Sequence, residues 1–252
     1  MSDVDGQGSE RIDNLTALVV EIAPEVLHRY RDVTVFCLRV RGLRAAVSAI
    51  DAAERLATVS ALWHGEPVCV QEQQLIAGWR AAYAQMGLKP SRYKSSVEAL
   101  LRRARNGQAL DVPLDAVNLY NAFSIQCMAP IGAYDVARLS AGTLRLRHVR
   151  GDTDRFDPLG AELSAFPLVD GLVVYAVNDE ILCWGFNVRD SRIACLAEGT
   201  DDAVFFSEAV AAEHRDPSMQ ALGGLQKILA EHGASCSAIA VADRHRTQFQ
   251  LE

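Results

Sequence analysis

The sequence lacks the features that mark membrane, secreted and metal-binding proteins. No window approaches the roughly 18 consecutive apolar residues that a membrane-spanning helix needs. Residues 1–10 lack the basic start and apolar run of a secretory signal. The six cysteines form no C-x-x-C pair, and no two histidines have zinc-ligand spacing. We therefore expect a cytoplasmic protein with reduced thiols, no membrane association, no cofactor and no metal ion.

Positive charge is also scarce. The chain has 25 Lys and Arg residues against 32 Asp and Glu residues, for a formal net charge of -7. A protein that coats nucleic acid is usually basic, so this balance argues against DNA binding and against sequence-blind binding to a phosphate backbone. A small basic patch that grips one end of a structured RNA remains compatible with it.

What is present is ordinary globular composition. Of the 252 residues, 50% are hydrophobic and 23% are charged, and a chain of this length can bury a substantial core. One large domain is the simplest interpretation. We expect residues 1–14 to be a flexible tail and residues 15–252 to form a single compact domain.

Hydrophobic periodicity divides the chain into a mainly helical first half and a second half of mostly strands. The expected helices cover 24–30, 45–63, 71–86, 95–105, 114–127 and 218–232. The expected strands cover 17–22, 33–40, 143–150, 172–177, 181–186, 203–207 and 238–242. Ser95 and Glu98 have capping-box spacing, and Pro130 and Gly132 are expected to break the chain. This order predicts an α+β fold.

Three blocks carry a resemblance to a known family. They are Trp79–Tyr83 with Gly87 and Lys89–Arg103; Val117–Asn121 with Ala129–Asp135; and Val173–Ala176 with Cys183, Trp184 and Asn187–Ser191. In order and spacing they resemble the B3/B4 module of the phenylalanyl-tRNA synthetase β chain, and especially its freestanding relatives, over roughly residues 20–235. The resemblance implies mixed sheets flanked by helices.

The same resemblance implies a function. The module in the synthetase removes tyrosine wrongly attached to the phenylalanine tRNA, and a freestanding version would act in trans on the acceptor end of aminoacyl-tRNA. Gly132 stands where the synthetase typically has a histidine implicated in editing. Hydrolysis of an activated ester needs a positioned water, a donor for the oxyanion and a selective pocket, but no strong side-chain nucleophile.

The candidate catalytic residues are Asp190, Asn121 and Gly132. Asp190 could accept the substrate ammonium or align a water, or it could form a solvated ion pair with Arg189. Asn121 and Asn118 share a helix face and could orient an amine or carbonyl, or they could be ordinary helix-surface amides. The small residues Gly132 and Ala133 let a ligand approach exposed backbone N–H groups, although a plain turn explains them equally.

The remaining candidates would bind substrate or RNA. Asn187 and Arg189 follow the expected hairpin, and an arginine fork can bind phosphate or carboxylate. Aromatic residues could stack on the terminal adenosine, line the pocket or belong to the core; they are Tyr93, Tyr134 and Trp184. The densest basic cluster could hold acceptor-stem phosphates or could be a solvated helix face; it comprises Arg92, Lys94, Arg102, Arg103 and Arg105. Arg145 and Arg147 are second candidates for that role.

Four hypotheses follow. The first is a trans-acting aminoacyl-tRNA deacylase, and the second is transfer of the aminoacyl group to another acceptor. The third is a module that binds charged tRNA without chemistry. The fourth, unrelated to the resemblance, is a cysteine-dependent enzyme that uses Cys127 or Cys183.

Overall fold

The computed structural model describes residues 17–252, so the tail expected at residues 1–14 lies outside this range. Seven helices form within these residues. They are α1 (Pro24–Arg29), α2 (Leu43–Ser48), α3 (Ala52–Ala61), α4 (Gln74–Gln85), α5 (Ser96–Arg105), α6 (Asp115–Cys127) and α7 (Arg215–Glu231). Among these residues, no helix is both long and apolar enough to cross a membrane.

Eleven strands form two sheets in the same range. They are β1 (Leu18–Ile22), β2 (Thr34–Arg41), β3 (Gly132–Asp135), β4 (Leu144–His148), β5 (Val173–Val177), β6 (Glu180–Trp184), β7 (Arg189–Asp190), β8 (Asp202–Ala209), β9 (Ser235–Cys236), β10 (Ala240–Ala242) and β11 (Gln248–Leu251). Sheet one has the order β11-β1-β4-β5-β6-β7, and sheet two has the order β10-β2-β8-β3, with β9 also paired to β2. Among these eleven strands of residues 17–252, only the β1–β4 pair is parallel.

The core is organised in layers. One apolar cluster lies between the two sheets and takes in Trp79 and Tyr83 of α4. A second lies between sheet two and the helices α2, α6 and α7. A third joins α3, α5 and α6. Sheet two therefore has one face toward sheet one and the other toward helices, and its strand β8 is buried on both faces.

The α+β prediction is confirmed, and most expected elements are found within a few residues of their predicted bounds. The alternation of 143–150 is a clear case: Leu144 and Leu146 are fully buried on one face of β4. The capping box is half realised. The Ser95 hydroxyl accepts a hydrogen bond from the Glu98 N–H at 3.2 Å, but the Glu98 carboxylate turns to arginines instead of back to Ser95.

One local prediction is wrong. The segment that begins at Gly132 was expected to be a break, but it is the strand β3, which pairs antiparallel with β8 at the edge of sheet two. The C-terminal strand β11, which pairs with β1, was not predicted at all. Both strands are short, and each is held by a partner that is distant in the sequence.

Candidate functional site

Two strand rows face each other across the gap between the sheets. In sheet one, Tyr175, Cys183 and Asp190 are successive cross-strand partners on β5, β6 and β7, so their side chains lie on the same face. In sheet two, Gly132 of β3 is the partner of Phe206 on β8. The Phe206 ring packs 5.4 Å from the ring of Tyr175, which shows that these two faces meet.

A buried acid lies at the centre of this contact. Glu208 is 2% exposed, and because it is two residues from Phe206 on β8, it faces sheet one. Its carboxylate accepts a hydrogen bond from the Tyr175 hydroxyl and another from the Asn187 amide nitrogen, both at 3.0 Å. The Tyr83 hydroxyl in turn donates to the Asn187 amide oxygen at 2.8 Å. The network thus ties α4, both sheets and the loop after β6 into one unit.

The Glu208 carboxyl group is tuned to titrate near neutrality. Burial raises its pKa to about 7, even though the hydrogen bonds from Asn187 and Tyr175 favour the ionised form. The negative charge of Asp190 raises this pKa further. A carboxyl group with such a pKa can take up or release a proton at physiological pH.

Asp190 is the second acid of the site. It is partly exposed, and burial of its carboxyl group raises its pKa, with opposing effects from the Cys183 thiol and from Arg189. Its charge is close enough to Glu208 to affect the pKa of that residue. Two carboxyl groups on facing sheets therefore share one electrostatic environment.

Gly132 leaves open space at its own position on β3. A Cβ atom built at this position would have no heavy-atom neighbour within 4 Å. Gly132 faces the same side of sheet two as Tyr134, two residues along β3, which packs against Phe206. The missing side chain therefore opens room next to the gap between the sheets.

The outer edge of β3 offers a backbone donor. The Asp135 N–H points away from β8 and donates to the Ala194 carbonyl at 2.9 Å. Because N–H directions alternate along an antiparallel edge strand, the Ala133 N–H points the same way. We find no hydrogen-bond partner for it among residues 17–252. The edge contact with Ala194 also places the chain after Asp190 directly beside β3.

Two tyrosines are coupled electrostatically to Asp190. The pKa of the Tyr134 hydroxyl is raised well above its usual value, mainly by burial and also by the nearby Cys183 and Asp190. Burial and the Asp190 charge likewise raise the pKa of Tyr120. Both hydroxyl groups are therefore protonated at physiological pH and can act as hydrogen-bond donors.

The two predicted asparagines of α6 are in different situations. Asn118 is buried, and its amide makes two hydrogen bonds of 2.9 Å with the backbone of Val112, which anchors the preceding loop. Asn121 is partly exposed, and its amide has no hydrogen-bond partner within residues 17–252. It follows Tyr120, and the charge of Asp190 raises the pKa of the Tyr120 hydroxyl. Asn118 therefore has a structural role in anchoring the loop before α6, and Asn121 stays a predicted site residue.

The predicted aromatic residues are mainly structural. Trp184 is fully buried, and its indole N–H donates to the Pro167 carbonyl at 3.1 Å. The Tyr93 ring packs 4.8 Å from Trp184 and only 8% of the residue is exposed. The exposed Arg189 guanidinium lies 5.5 Å from the Phe166 ring beside this cluster. Of the three aromatic candidates, Tyr134 is the one that borders the acids.

The predicted basic cluster is largely engaged within the protein. Arg102 donates to the Glu98 carboxylate at 2.9 Å and to the Gln71 side-chain oxygen at 2.7 Å. Glu98 is fully buried and also pairs with Arg80 at 2.9 Å. Arg102 therefore neutralises a buried acid, which is a structural role.

The other members of the cluster follow the same pattern. Arg105 donates to the Glu66 carbonyl at 3.0 Å, and Arg103 donates to the Ala109 carbonyl. Lys94 donates to the Ser91 carbonyl at 2.8 Å. Arg92 is exposed and lies over the Tyr93 ring at 5.1 Å.

The two arginines on β4, which were second candidates for phosphate binding, also form ion pairs within the protein. Arg147 is 2% exposed and forms a two-pronged ion pair with Asp154, with both contacts at 2.7 Å. Arg145 pairs with Glu21 at 2.7 Å. The Arg147 guanidinium is therefore occupied by Asp154 and is not available to hold a phosphate.

The two cysteines of the fourth hypothesis are poor nucleophiles. Burial raises the pKa of the Cys127 thiol and, more strongly, that of Cys183, where Asp190 adds to the effect. The thiolate is the reactive form, so a raised pKa suppresses attack. Within residues 17–252, no group of three or more His, Cys, Asp or Glu side chains is placed to hold a metal ion.

The sequence interpretation missed Glu208, together with its partners Tyr83 and Tyr175. A signal was present, because Glu208 is a lone carboxylate at the end of an apolar strand run, 203–210. Acids of this kind are rarely buried without partners. Their partners, however, lie on other strands and on a helix far away in the chain.

Comparison with known proteins gives the family. The B3/4 domain family model matches residues 78–223, which is more than half of the chain and includes α5, α6 and the whole Glu208–Asp190 site. The chain belongs to the B3/4 domain family. This confirms the resemblance to the B3/B4 module. A comparison with curated proteins found no match.

Among solved structures, the fold is similar to that of an N-terminal fragment of the phenylalanyl-tRNA synthetase β subunit from Pyrococcus horikoshii. The two share 12% sequence identity with a TM-score of 0.48. The similarity covers 92% of this B3/4 domain chain and 54% of the fragment, so the chain spans about half the length of that fragment.

Proposed function

We propose that this B3/4 domain protein hydrolyses the ester that joins an amino acid to the 3′ end of a tRNA. The observation that carries the proposal is the pair of electrostatically coupled carboxyl groups, Glu208 and Asp190, on facing sheets, together with the open position at Gly132 on β3. Water supplies the hydroxyl that completes the released amino acid, and the proton returns to the ribose oxygen of the tRNA.

The acids have the properties that proton transfer requires. General acid–base catalysis is most efficient when the pKa of the catalytic group is near the working pH, and burial sets the Glu208 pKa at about 7. Glu208 is enclosed by Tyr175 and Asn187, so we propose that it does not contact the substrate. Its ionisation instead controls the net charge of the site. Asp190 is partly exposed and is the group that can contact a substrate water or ammonium.

Donors for the developing oxyanion are also available. The Ala133 N–H points to the open edge of β3, and a preformed backbone donor can stabilise a tetrahedral intermediate. We assign Asn121 and the Tyr120 hydroxyl, both on α6, as further donors, because the Asp190 charge reaches Tyr120. An activated ester needs little more than such donors and an aligned water.

The direct test uses a panel of tRNAs that carry different labelled amino acids. Wild-type protein is expected to release the free amino acid from at least one of them. Asp190→Asn should lower kcat/KM by roughly 10²-fold or more, in line with loss of a general acid or base. Asn121→Ala should have a smaller effect, because one orienting hydrogen bond is lost. Asp157→Asn is the matched control, since Asp157 is an exposed acid that pairs weakly with Arg192.

Three outcomes would contradict the proposal. Wild-type protein that leaves every ester intact while binding charged tRNA would be a binding module. A new amide or ester product in place of free amino acid would identify aminoacyl transfer. Full activity in Asp190→Asn would remove that acid from the site.

A further inference from the structure

A cavity of about 330 Å³ lies at the end of sheet two, where β2 begins and β8 has ended. Its basic lining residues come from three separate segments and are Arg31, Arg215, Arg244 and His245. Asp32 and Asp243 contribute the two carboxylates of the lining. We call this cavity the Arg244 pocket.

Asp243 fixes the turn that borders the pocket, and its negative charge is neutralised within the protein. Its carboxylate accepts hydrogen bonds from the backbone N–H groups of His245 at 2.8 Å and Arg246 at 3.2 Å, which fixes the turn. The same carboxylate pairs with Arg215 at 3.2 Å. Partial burial acts to raise the Asp243 pKa, but these hydrogen bonds and the Arg215 charge lower it overall. Asp243 is therefore ionised, and Arg215 neutralises it.

Two guanidinium groups remain for a ligand. Arg31 and Arg244 are exposed, and neither pairs with a carboxylate within residues 17–252. Arg244 instead donates to the His245 ring at 3.0 Å. Against these two cations the pocket has one remaining carboxylate, that of Asp32. In a chain of net charge -7, such a local excess of positive charge favours an anion with geometry that matches the arginine fork.

The pocket lies next to Glu208, as the pairing of β2 with β8 shows. Arg215 donates to the Thr34 hydroxyl at 2.7 Å. The next residue on β2, Val35, is the cross-strand partner of Glu208. A strand of RNA whose 3′ end reaches Glu208 and Asp190 would therefore bring other phosphates close to Arg31 and Arg244. The arginines of α5, by contrast, are engaged with the protein itself.

We propose that the Arg244 pocket binds a backbone phosphate of the RNA whose charged end enters the candidate site. This inference rests on the proposed function for the identity of the ligand. Its chemistry requires only a phosphate diester, two guanidinium groups and the fixed turn at Asp243.

The test measures binding of uncharged tRNA at several salt concentrations, which requires no ester chemistry. The double variant Arg31→Glu and Arg244→Glu is expected to weaken binding at least tenfold. It should also reduce the slope of log Kd against log salt by about 1, because neutralising one phosphate contributes about one unit. Arg150→Glu is the control, since Arg150 is exposed and its side chain has no partner within residues 17–252. Arg244→Lys keeps the charge but loses the fork, so it should weaken binding less than the double variant does and should leave the salt slope unchanged.

A second measurement separates this inference from the proposed function. An aminoacyl ester of adenosine has no phosphate, so the double variant should hydrolyse it at the wild-type rate while Asp190→Asn does not. If no ester is hydrolysed by wild-type protein, the proposed function fails. The tRNA-binding measurement still tests whether the pocket binds phosphate. The pocket assignment is overturned if the double variant binds tRNA as wild type does, or if Arg150→Glu loses as much affinity. It is also overturned if inorganic phosphate raises the melting temperature but wild-type protein binds no RNA.

Discussion

The amide nitrogen of Asn187 lies 3.0 Å from the Glu208 carboxylate, and this contact joins the loop after β6 to a buried acid on β8. Asn187 is held in turn by the Tyr83 hydroxyl. The position of this loop, which leads into β7 with Arg189 and Asp190, therefore depends on an acid whose charge changes near neutral pH. Stability and function are both expected to respond to it.

Replacing Glu208 by Gln should change how stability depends on pH. The folded-state pKa is raised from 4.5 to about 7, so the folded protein binds the proton more tightly than the unfolded chain does. The stability that this proton provides is complete below pH 4.5 and is lost as the pH rises through 7. A shift of this size corresponds to about 3 kcal/mol. Denaturant titrations at pH 5 and pH 8 should show a smaller decline for Glu208→Gln than for wild type.

The glutamine can keep the network if Asn187 turns its amide over. Its oxygen would then accept from the new Gln side chain and its nitrogen would donate to the Tyr83 hydroxyl. An equal decline from pH 5 to pH 8 in both proteins would show that Glu208 does not titrate in this range.

Gly132 should tolerate a side chain structurally but not functionally. Its φ is not in the left-handed region, and an added Cβ meets nothing within 4 Å. Gly132→Ala is therefore expected to be neutral or to stabilise the fold by up to about 1 kcal/mol, because alanine restricts the unfolded chain. Gly132→His should also fold but should fill the space beside the acids and change which amino acid is accepted. Melting temperatures together with the tRNA panel test this.

Gly224 is the matched control, because the space for a side chain at this glycine is already occupied. A Cβ at Gly224 would lie 2.5 Å from the Phe123 ring, so Gly224→Ala should destabilise the protein. If Gly132→Ala costs as much as Gly224→Ala, the space at Gly132 is not open.

The buried ion pair of Arg147 and Asp154 should be essential for stability. Asp154→Ala leaves a guanidinium that is 2% exposed without its partner, and breaking such a pair costs about 3–5 kcal/mol. Asp157→Ala is the control, because Asp157 and Arg192 are both more than half exposed and lie 3.5 Å apart. Chemical denaturation of both variants should give a large loss for Asp154→Ala and almost none for Asp157→Ala.

Arg102→Ala should lower stability rather than RNA affinity. The substitution removes one of the two arginines that neutralise the fully buried Glu98, with an expected cost of about 1–3 kcal/mol. Arg44→Ala on α2 serves as the control, since Arg44 is an exposed helix residue. Denaturation midpoints and tRNA binding, measured on the same preparations, separate the two roles. A large loss of affinity with no loss of stability would restore the original assignment of Arg102 to RNA.

Much of the fold could be predicted because local patterns act over short distances. The alternation in β4 and the Ser95 cap of α5 depend on neighbours within a few residues. The strand β3 could not be predicted in this way. Pro130 and Gly132 are typical of a break, and only pairing with Phe206 on β8 makes the segment a strand.

The candidate site divides in the same manner. The segments around Gly132 and Asp190 were identified from the sequence, and the structure brings them together through the Asp135–Ala194 backbone contact. Glu208 was missed because a single acid in an apolar strand shows neither its burial nor its partners. The raised pKa exists only once the sheets enclose the carboxyl group.

The sequence by itself determined the order of helices and strands, the α+β class and the motifs that place the chain in the B3/4 domain family, because these depend on local periodicity and residue type. Only the tertiary structure decided which charged side chains are paired within the protein and which can bind a ligand. It placed Arg102 against buried Glu98 and left Arg31 and Arg244 without carboxylate partners in the described range. The energy of a charge depends on its distance from other charges and on its access to water, and both are set by contacts between residues far apart in the chain.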